Sequence, residues 1–431
     1  MPTQRATVMG LGTFGGGAGA TRHLVRLGYD VTLTDIADES TLQNALKPIE
    51  DLIDSGAVML RLGGHNVSDF TTSDVVVINP AVKLPWDNRF VRSALASGAR
   101  VTTEIGLLID ALPDGATVIG ITGSAGKSTT SAMIHAGLQA SDIPSILGGN
   151  IGVSLLDRLD TITTDTTVVL ELSSAMLWWL DQPGTNQRTP LDIALVTNIE
   201  PNHIDWHGSL EHYTQSKRSI LDRVRKNGHA VLHHSLRSWP RSSGVAFEYF
   251  SDCFPNECLQ VPGEHNQTNA AGAYAACIAA GADPKQAAGG ISAFPGLPHR
   301  LEFIAEINGV RWYNDSKSTT PSASRLAVDA LKPAPIHLIV GGSDKGIDLG
   351  PIADLRHETQ SLLCIGQTGT TIAKLANTEP SDTLEQAVQR AAAEAKPGEC
   401  VVLSPGCASY DQFDNFEHRG RCFAELVHSL A

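Results

Sequence analysis

Cysteine is scarce in this sequence and does not pair up. The seven residues are an odd number, scattered over 431 positions. Cys253 and Cys258 are close, but no second ligand pair follows them. A disulfide framework and a structural zinc site are both disfavoured, and free thiols in a reducing compartment are expected. Positive charge is also short. Lys and Arg total 32 against 46 Asp and Glu, a net charge of −14, with no basic block. Wrapping nucleic acid or binding an anionic membrane is therefore disfavoured. No apolar stretch approaches the length of a membrane span. The N-terminus opens on a strand-like run, Ala6–Met9, with no charged segment leading into a long apolar core. No signal peptide is expected, and the protein reads as cytoplasmic. Internal repeats, low-complexity tracts and long linkers are missing as well. What remains is an ordinary globular composition, 42% hydrophobic and 5% aromatic, of a length that suits two to four domains.

The most informative stretch is Gly120-Ile121-Thr122-Gly123-Ser124-Ala125-Gly126-Lys127-Ser128-Thr129-Thr130. An apolar run, Ala116–Ile121, precedes it and reads as a buried strand. Ser131–Ala140 follows and reads as a helix. Glycines at 123 and 126 let the backbone curl so that N–H groups face phosphate oxygens. The helix N-terminus adds a favourable dipole. Lys127 can reach the outer phosphates, and the Ser128 hydroxyl can ligate Mg²⁺. The first glycine of the eight-residue phosphate loop is missing, so this is the shorter TGxxGKST form. It points to a nucleoside triphosphate.

A second glycine turn lies near the N-terminus. Gly10-Leu11-Gly12-Thr13-Phe14-Gly15 joins the strand Ala6–Met9 to a helix running through Leu27. A second strand, Val31–Thr34, ends at Asp35, the acidic residue expected of a Rossmann turn. The pattern fits NAD. It fits a nucleotide-diphosphate sugar equally, since it specifies only a diphosphate on a helix N-terminus with a carboxylate nearby.

Further polar residues fall at strand exits, where open α/β sheets place ligands. Glu171 follows Thr167–Leu170 and is placed to hold Mg²⁺ beside a triphosphate. His203 lies in a His-x-Asp-x-His cluster after Ile193–Thr197, and reads as either a satisfied loop histidine or a metal or phosphate ligand. Lys217, inside a predicted helix Glu211–Val224, reads by spacing as a surface lysine. Asn266 sits at or near the cap of an alanine-rich helix running to Ala280. Asn308-Gly309 marks a hairpin between Leu301–Ile307 and Val310–Tyr313. Lys317 and Lys345 sit beside Asp315 and Asp344, as surface ion pairs or as captors of a carboxylate or phosphate. Trp178 and Trp179 read as core or interface. The whole predicts an α/β chain of three domains: a Rossmann-like unit at 1–103, a central P-loop ATPase parallel sheet at 104–296, and a C-terminal Rossmann-like unit at 297–431.

Eight motifs in order carry a resemblance across nearly the whole chain. They are TGSAGKST (122–129), GGNIG (148–152), LELSS (170–174), NHID (202–205), GEHNQTNA (263–270), GLPHRLE (296–302), NDSKST (314–319) and SPGCASYDQF (404–413). On these the sequence resembles the Mur ligase family, and within it the ligases that add glutamate to UDP-N-acetylmuramoyl-L-alanine in cytoplasmic peptidoglycan synthesis.

The resemblance implies ATP, two Mg²⁺ ions, an acyl-phosphate intermediate and a monomer. It assigns Gly123, Ser124, Ala125, Gly126, Lys127, Ser128 and Thr129 to the phosphates. Asn266 and Asn269 go to the adenine side, and Arg300 and Asp315 to ribose and phosphates. Ser128 and Glu171 would hold one Mg²⁺. His203 would hold the second with Lys217, which is carbamylated in the family. Gly12, Thr34 and Asp35 would cradle UDP, while Asn150 and Ser173 would line the muramoyl channel. Lys317, Thr319, Lys345, Ser409 and Phe416 would receive glutamate.

The sequence departs from the family pattern in places. Ala125 replaces Asn, and Asn202 replaces an acidic residue. Ser174-Ala175-Met176-Leu177 replaces Ser-Phe-Gln-Leu, and Thr320-Pro321 stands where Asn is usual. A branch of the family that takes L-glutamate has a similar Thr-Thr-Pro, while the retained Lys317 keeps D-glutamate first. Rival readings are another Mur or folylpolyglutamate-type ligase, an NAD-dependent oxidoreductase, and a non-catalytic nucleotide-binding regulator.

Overall fold

The computed structural model describes residues 4–12, 15–184, 191–255, 258–344 and 346–430. These form two compact units, one of Met1–Pro255 with Thr268–Ile291, the other of Asn256–Gln267 with Ser292–Ala431.

The first unit contains two parallel sheets. Short β-branched runs build the first: β1 (Arg5–Met9), β2 (Asp30–Thr34), β3 (Val58–Arg61), β4 (Val75–Ile78) and β5 (Arg100–Thr102). Their spatial order is β3-β2-β1-β4-β5, the Rossmann order the glycine turn predicts. The second sheet comprises β6 (Thr117–Thr122), β7 (Ser145–Gly149), β8 (Thr167–Glu171), β9 (Leu191–Val196), β10 (Val224–His233) and β11 (Ala246–Phe250). Its order is β11-β10-β9-β6-β8-β7. Strands β8 and β9 are buried throughout, as expected of sheets covered on both faces. Val8, Leu33, Leu107, Leu155 and Val168 belong to one apolar cluster that runs through both sheets. Trp179 is core, packed with Phe70, Val76 and Phe90. Trp178 is half-buried, its ring 5.4 Å from Trp86 and 5.8 Å from Trp206.

The second unit holds β12 (Glu302–Ile307), β13 (Val310–Asn314), β14 (Ile336–Gly341), β15 (Ser361–Ile365), β16 (Pro380–Asp382) and β17 (Cys400–Leu403), in the order β12-β13-β17-β14-β15-β16. Strands β12 and β13 form the antiparallel hairpin, with Asn308 at φ 52° and Gly309 at φ 76°, as a two-residue primed turn requires. The other pairings are parallel.

Three helix boundaries differ from the spacing in ways that bear on the site. The helix after the phosphate loop starts at Lys127, four residues early, because Gly126 in the left-handed region serves as its N-cap. The helix predicted over Glu211–Val224 ends at Arg218 and tightens into a 3₁₀ turn, Ser219–Arg223, before β10 begins. The alanine-rich helix opens at Glu264, so Asn266 lies in its first turn. All seven cysteines are free. Among the described residues no helix is long and apolar enough to cross a membrane.

Glu104 opens a helix after β5, with Thr103 as its N-cap, and receives the Ser154 hydroxyl from the segment beyond β7. Burial in this junction pushes its carboxyl up to about 7. The Ser154 bond opposes that rise and the nearby Asp157 charge adds to it. A carboxyl whose folded pKa is raised is neutral and harmless at low pH. Its charge then erodes stability as pH climbs from the unfolded value through about 7. Glu104→Gln is therefore expected to match the parent at about pH 4 and to exceed it by about 2 kcal/mol at about pH 8, allowing for the part of the side chain that solvent still reaches. Urea unfolding at the two pH values checks this, and an equal difference at both would contradict it.

Candidate active site

The C-terminal end of the second sheet gathers most of the residues singled out in the first unit. Strand β6 delivers the phosphate loop. A Cβ at Gly126 would collide with Asn269 Oδ1. Gly126 also has φ 80°, a conformation that L side chains rarely adopt. The loop is held by the exit of β9. Asn198 Oδ1 accepts the N–H groups of Ser124 (3.1 Å) and Ala125 (2.9 Å), and Thr197 Oγ1 donates to the Ala125 carbonyl at 2.7 Å. Ser124 Oγ meets the Tyr213 hydroxyl at 2.7 Å. Ala125, where the family carries Asn, is thus engaged through its backbone.

Lys127 Nζ donates to the Gly123 carbonyl at 3.0 Å and to Ser124 O at 3.2 Å. Lys217 Nζ donates to the same Gly123 carbonyl at 2.8 Å and to Thr122 Oγ1 at 3.4 Å. Lys217 is 2% exposed and lies 4.9 Å over the Tyr213 ring. The surface position that helical spacing suggests for it is therefore wrong. The helix presses this face against the phosphate loop. Burial drives its amine well below the usual lysine range. The Lys127 charge pushes further in that direction, and Glu171 pulls back.

Glu171, at the end of β8, is 1% exposed. Its Oε1 accepts Asn150 Nδ2 at 3.0 Å, while its Oε2 is buried with no hydrogen-bond partner among the described residues. A carboxylate oxygen in that state fits a cation ligand. Asn150 therefore touches Glu171 rather than standing apart from it. Ser128 is buried at the first turn of the helix.

The His-x-Asp-x-His cluster splits three ways. His203 has φ 51° and lies 6.5 Å, ring to ring, from Tyr213. Burial, then Lys217 and Lys127, lower its pKa, which puts it in the field of the two lysines. Asp205 turns away to Lys83, at 2.6 Å. His207 is buried between Ser174 Oγ and His212 Nδ1, each at 2.9 Å, and its pKa falls to about 4, from burial first and His212 second. Of the three, His203 is the one in the field of both Lys127 and Lys217. Asn202 Oδ1 accepts the His203 N–H at 2.8 Å.

In the first sheet, Gly12 has φ 67°, and Thr13 and Phe14 lie outside the described residues. Thr34 is buried, its Oγ1 2.8 Å from His65 Nδ1. Asp35 Oδ2 accepts Leu11 N–H at 2.8 Å and Oδ1 accepts Ala37 N–H at 3.0 Å. This carboxylate fixes the glycine turn. Ser173 caps the helix after β8, accepting Met176 N–H at 3.2 Å.

The second unit gathers the exits of β13, β14, β15 and β17. Asp315 is buried. It accepts Ser404 Oγ at 2.7 Å and Leu301 N–H at 3.1 Å, and burial raises its pKa to about 6. Arg300, half-buried, adds its charge to that balance. Lys317 is exposed, its Nζ 5.0 Å over the Phe416 ring. Thr319 is exposed and Ser409 buried. Asn266 is buried in its first turn, donating to Pro262 O at 2.6 Å. Lys345 lies outside the described residues.

Arg419 carries no assigned role in the sequence reading, yet it organises these loops. It is 1% exposed and donates to Ser316 O at 2.8 Å, Ser316 Oγ at 3.0 Å, and the Cys407 and Ala408 carbonyls at 3.2 Å. Asn198 and Tyr213 were missed too. Asn198 stands directly after a strand, and that exit position is the one signal that could have flagged it.

Residues 121–243 match the Mur ligase middle domain, and residues 299–407 match the glutamate ligase domain of the Mur ligases. The UDP-N-acetylmuramoylalanine–D-glutamate ligase of Symbiobacterium thermophilum is 34% identical, over 99% of this chain and 98% of its own. The ligase of that name from Roseiflexus sp. is 33% identical, over 99% of both. The chain belongs to the Mur ligase family. Two solved structures share the Mur ligase fold. The UDP-N-acetylmuramate-alanine ligase MurC of Thermotoga maritima has a TM-score of 0.63 at 17% identity, covering 99% of this chain and 100% of its own. The MurF ligase of the same organism, in complex with ADP, has a TM-score of 0.57 at 15% identity, covering 100% and 97%.

For this Mur ligase, Gly126→Ala is expected to weaken ATP binding by at least about tenfold, since the loop must part from Asn269 and take up a conformation costing on the order of 1–3 kcal/mol. The protein should still fold. Fluorescence titration with ATP checks this, and an unchanged affinity would contradict the geometry.

Proposed function

We propose that this chain is the ATP-dependent ligase that joins glutamate, D-glutamate first, to UDP-N-acetylmuramoyl-L-alanine, as a monomer in the cytoplasm. The observation that carries the reading is the convergence of Lys127, Lys217 and Glu171 on the phosphate loop, with His203 beside them. The names of full-length relatives at 33–34% identity supply the substrate class. We also propose the three-domain division at 1–103, 104–296 and 297–431, which the three separate sheets support.

The terminal carboxylate of the UDP-sugar attacks the γ-phosphorus of ATP, and ADP leaves an acyl phosphate. The glutamate amine then attacks the acyl carbon, and the tetrahedral intermediate expels phosphate. Most of the task is charge stabilisation and positioning. Lys127 meets the γ-phosphate, and the loop N–H groups and the helix N-terminus beginning at Lys127 cradle the chain of phosphates. Ser128 and Glu171 hold one Mg²⁺, for which Glu171 Oε2 is a fitting ligand. His203 and Lys217 hold the second. Bound Mg²⁺ offsets the crowded negative charge of triphosphate and carboxylate.

Lys217 serves as an anion in this reading. Burial favours its neutral amine, already short of one proton, which is suited to adding CO₂: the nitrogen lone pair forms an N–C bond as one C–O π bond opens, a second proton leaves to solvent, and the amine becomes a carbamate. Asn269 lies against the loop at Gly126, with Asn266 one turn earlier on the adenine side. Arg300 and Asp315 take ribose and phosphates. Gly12, Thr34 and Asp35 shape the UDP site, and Asn150 and Ser173 the muramoyl channel. Lys317, Thr319, Lys345, Ser409 and Phe416 receive glutamate.

Phosphate release with ATP, Mg²⁺ and UDP-N-acetylmuramoyl-L-alanine tests the reading when D- and L-glutamate are offered separately. Release with D-glutamate is expected. Release with L-glutamate alone moves the specificity to Thr319–Pro321. Release with neither refutes the substrate assignment. Lys127→Ala is expected to lower turnover by roughly 10³-fold or more and to leave UDP-sugar affinity unchanged by calorimetry. Loss of sugar binding in a folded variant would contradict that division of labour. Lys217→Ala should be inactive and partly restored by short carboxylic acids. No restoration at any concentration counts against the carbamate.

A further inference from the structure

Strands β10 and β11 pair in parallel at the edge of the second sheet, with His233 opposite Phe250. Their exits bring three ligand-type side chains together. His233 Nε2 lies 2.9 Å from Asp252 Oδ1, and His234 Nδ1 lies 3.8 Å from Asp252 Oδ2. The two imidazole centroids are 4.2 Å apart. One ligand atom from each of the three residues falls within 4.8 Å of the others. We propose that His233, His234 and Asp252 form a binding site for a Zn²⁺-class divalent metal, separate from the Mg²⁺ ligands at Ser128, Glu171, His203 and Lys217.

Ligand chemistry selects the metal. Two imidazoles with one carboxylate suit Zn²⁺, Co²⁺ or Ni²⁺, not the all-oxygen preference of Mg²⁺. Zinc–ligand bonds of about 2.0–2.2 Å in a tetrahedron put ligand atoms roughly 3.3 Å apart, between the two separations seen here. Three protein ligands leave one position for water, which suits a site whose His234 and Asp252 are exposed.

The partners of the ligands point the same way. Ser235 Oγ lies 2.8 Å from His233 Nδ1, on the far side of the ring from Asp252. Once an incoming metal displaces the Nε2 proton that meets Asp252, Nδ1–H donates to that hydroxyl and the Nε2 lone pair is aimed at the cluster. This is the tautomer a metal needs, with its orientation fixed by an outer hydrogen bond. Thr268 Oγ1 donates to Asp252 Oδ1 at 3.0 Å and holds the carboxylate in turn. Thr268 precedes Asn269, so an ion here would also tie the β11 exit to the helix that lies against the phosphate loop.

The test is equilibrium dialysis of the full chain, untagged and chelator-treated, against Zn²⁺ with Mg²⁺ in excess. Its cysteines are alkylated beforehand, so that Cys253 and Cys258 cannot contribute. One equivalent of Zn²⁺ is expected. His234→Ala and His233→Ala should each bind it at least about tenfold more weakly. His234 is exposed, so His234→Ala is expected to keep the parent's unfolding temperature without metal. Zn²⁺ should raise that temperature in the parent and not in the variant. Failure of the parent to bind, or equal binding by parent and His234→Ala, overturns the proposal. Neither outcome bears on the ligase reading, which the phosphate-release assay tests alone.

Discussion

Two lysine amines share one carbonyl oxygen, that of Gly123. The geometry around the phosphate loop follows from this crowding. Lys127 arrives from the loop's own helix and Lys217 from the helix Leu210–Arg218, which packs its Tyr213 under the loop. Two ammonium groups cannot both stay charged here at low cost, because burial removes the water that would screen them. The strain falls on Lys217, the more deeply enclosed. Glu171 is the one carboxylate that opposes the shift. An anionic phosphate would favour the charge on Lys127, while a carbamate on Lys217 would turn repulsion into attraction. The site carries a charge imbalance that the proposed substrate and carbamate would relieve.

The second unit solves a similar problem with a different cation. Arg419 is as deeply buried as Lys217, and it too is bound mainly by backbone carbonyls of strand-exit loops. Burial lowers its pKa to about 10, with Asp411 opposing, so it stays charged at neutral pH. A guanidinium offers several donors in a rigid plane and does not surrender its proton, so it can join the loop at Ser316 to the loop at Cys407 and Ala408 permanently. Lysine under comparable burial can surrender its proton. The choice of cation separates a reactive group from a structural clamp.

Much of this was legible in the sequence because it is local. Strand runs, glycine turns and the Asn308-Gly309 hairpin depend on neighbours within a few residues, and they stand where spacing puts them. The residues that escaped depend on tertiary packing. Helical spacing could not reveal that the Lys217 face is turned inward, because that face also carries polar residues such as Tyr213 and Ser216 that are buried for the same reason. The three polar residues of the His203 cluster look equivalent in sequence. They separate only when a left-handed residue and a short helix set His203 in the field of both lysines, Asp205 at Lys83 and His207 in the core. Asn198 and Arg419 act on segments far away in the chain, Arg419 over about a hundred residues to Ser316. Apart from the strand exit that precedes Asn198, nothing in their own neighbourhood announces it.

The glycine turn at the N-terminus shows how far a motif reaches before structure must decide. Its spacing suits NAD and a nucleotide-diphosphate sugar equally, and the difference lies in what the acid after β2 does. For a dinucleotide, that carboxylate accepts the ribose hydroxyls. Here Asp35 is buried, and each of its oxygens already takes a backbone N–H, Leu11 on one side and Ala37 on the other. Both oxygens are thereby tied to the backbone of the turn, and releasing either would leave a buried donor unsatisfied at roughly 1–3 kcal/mol. The carboxylate is part of the scaffold, and what the turn presents to a ligand is its backbone. A backbone cradle of this kind suits the diphosphate of the UDP-sugar proposed above.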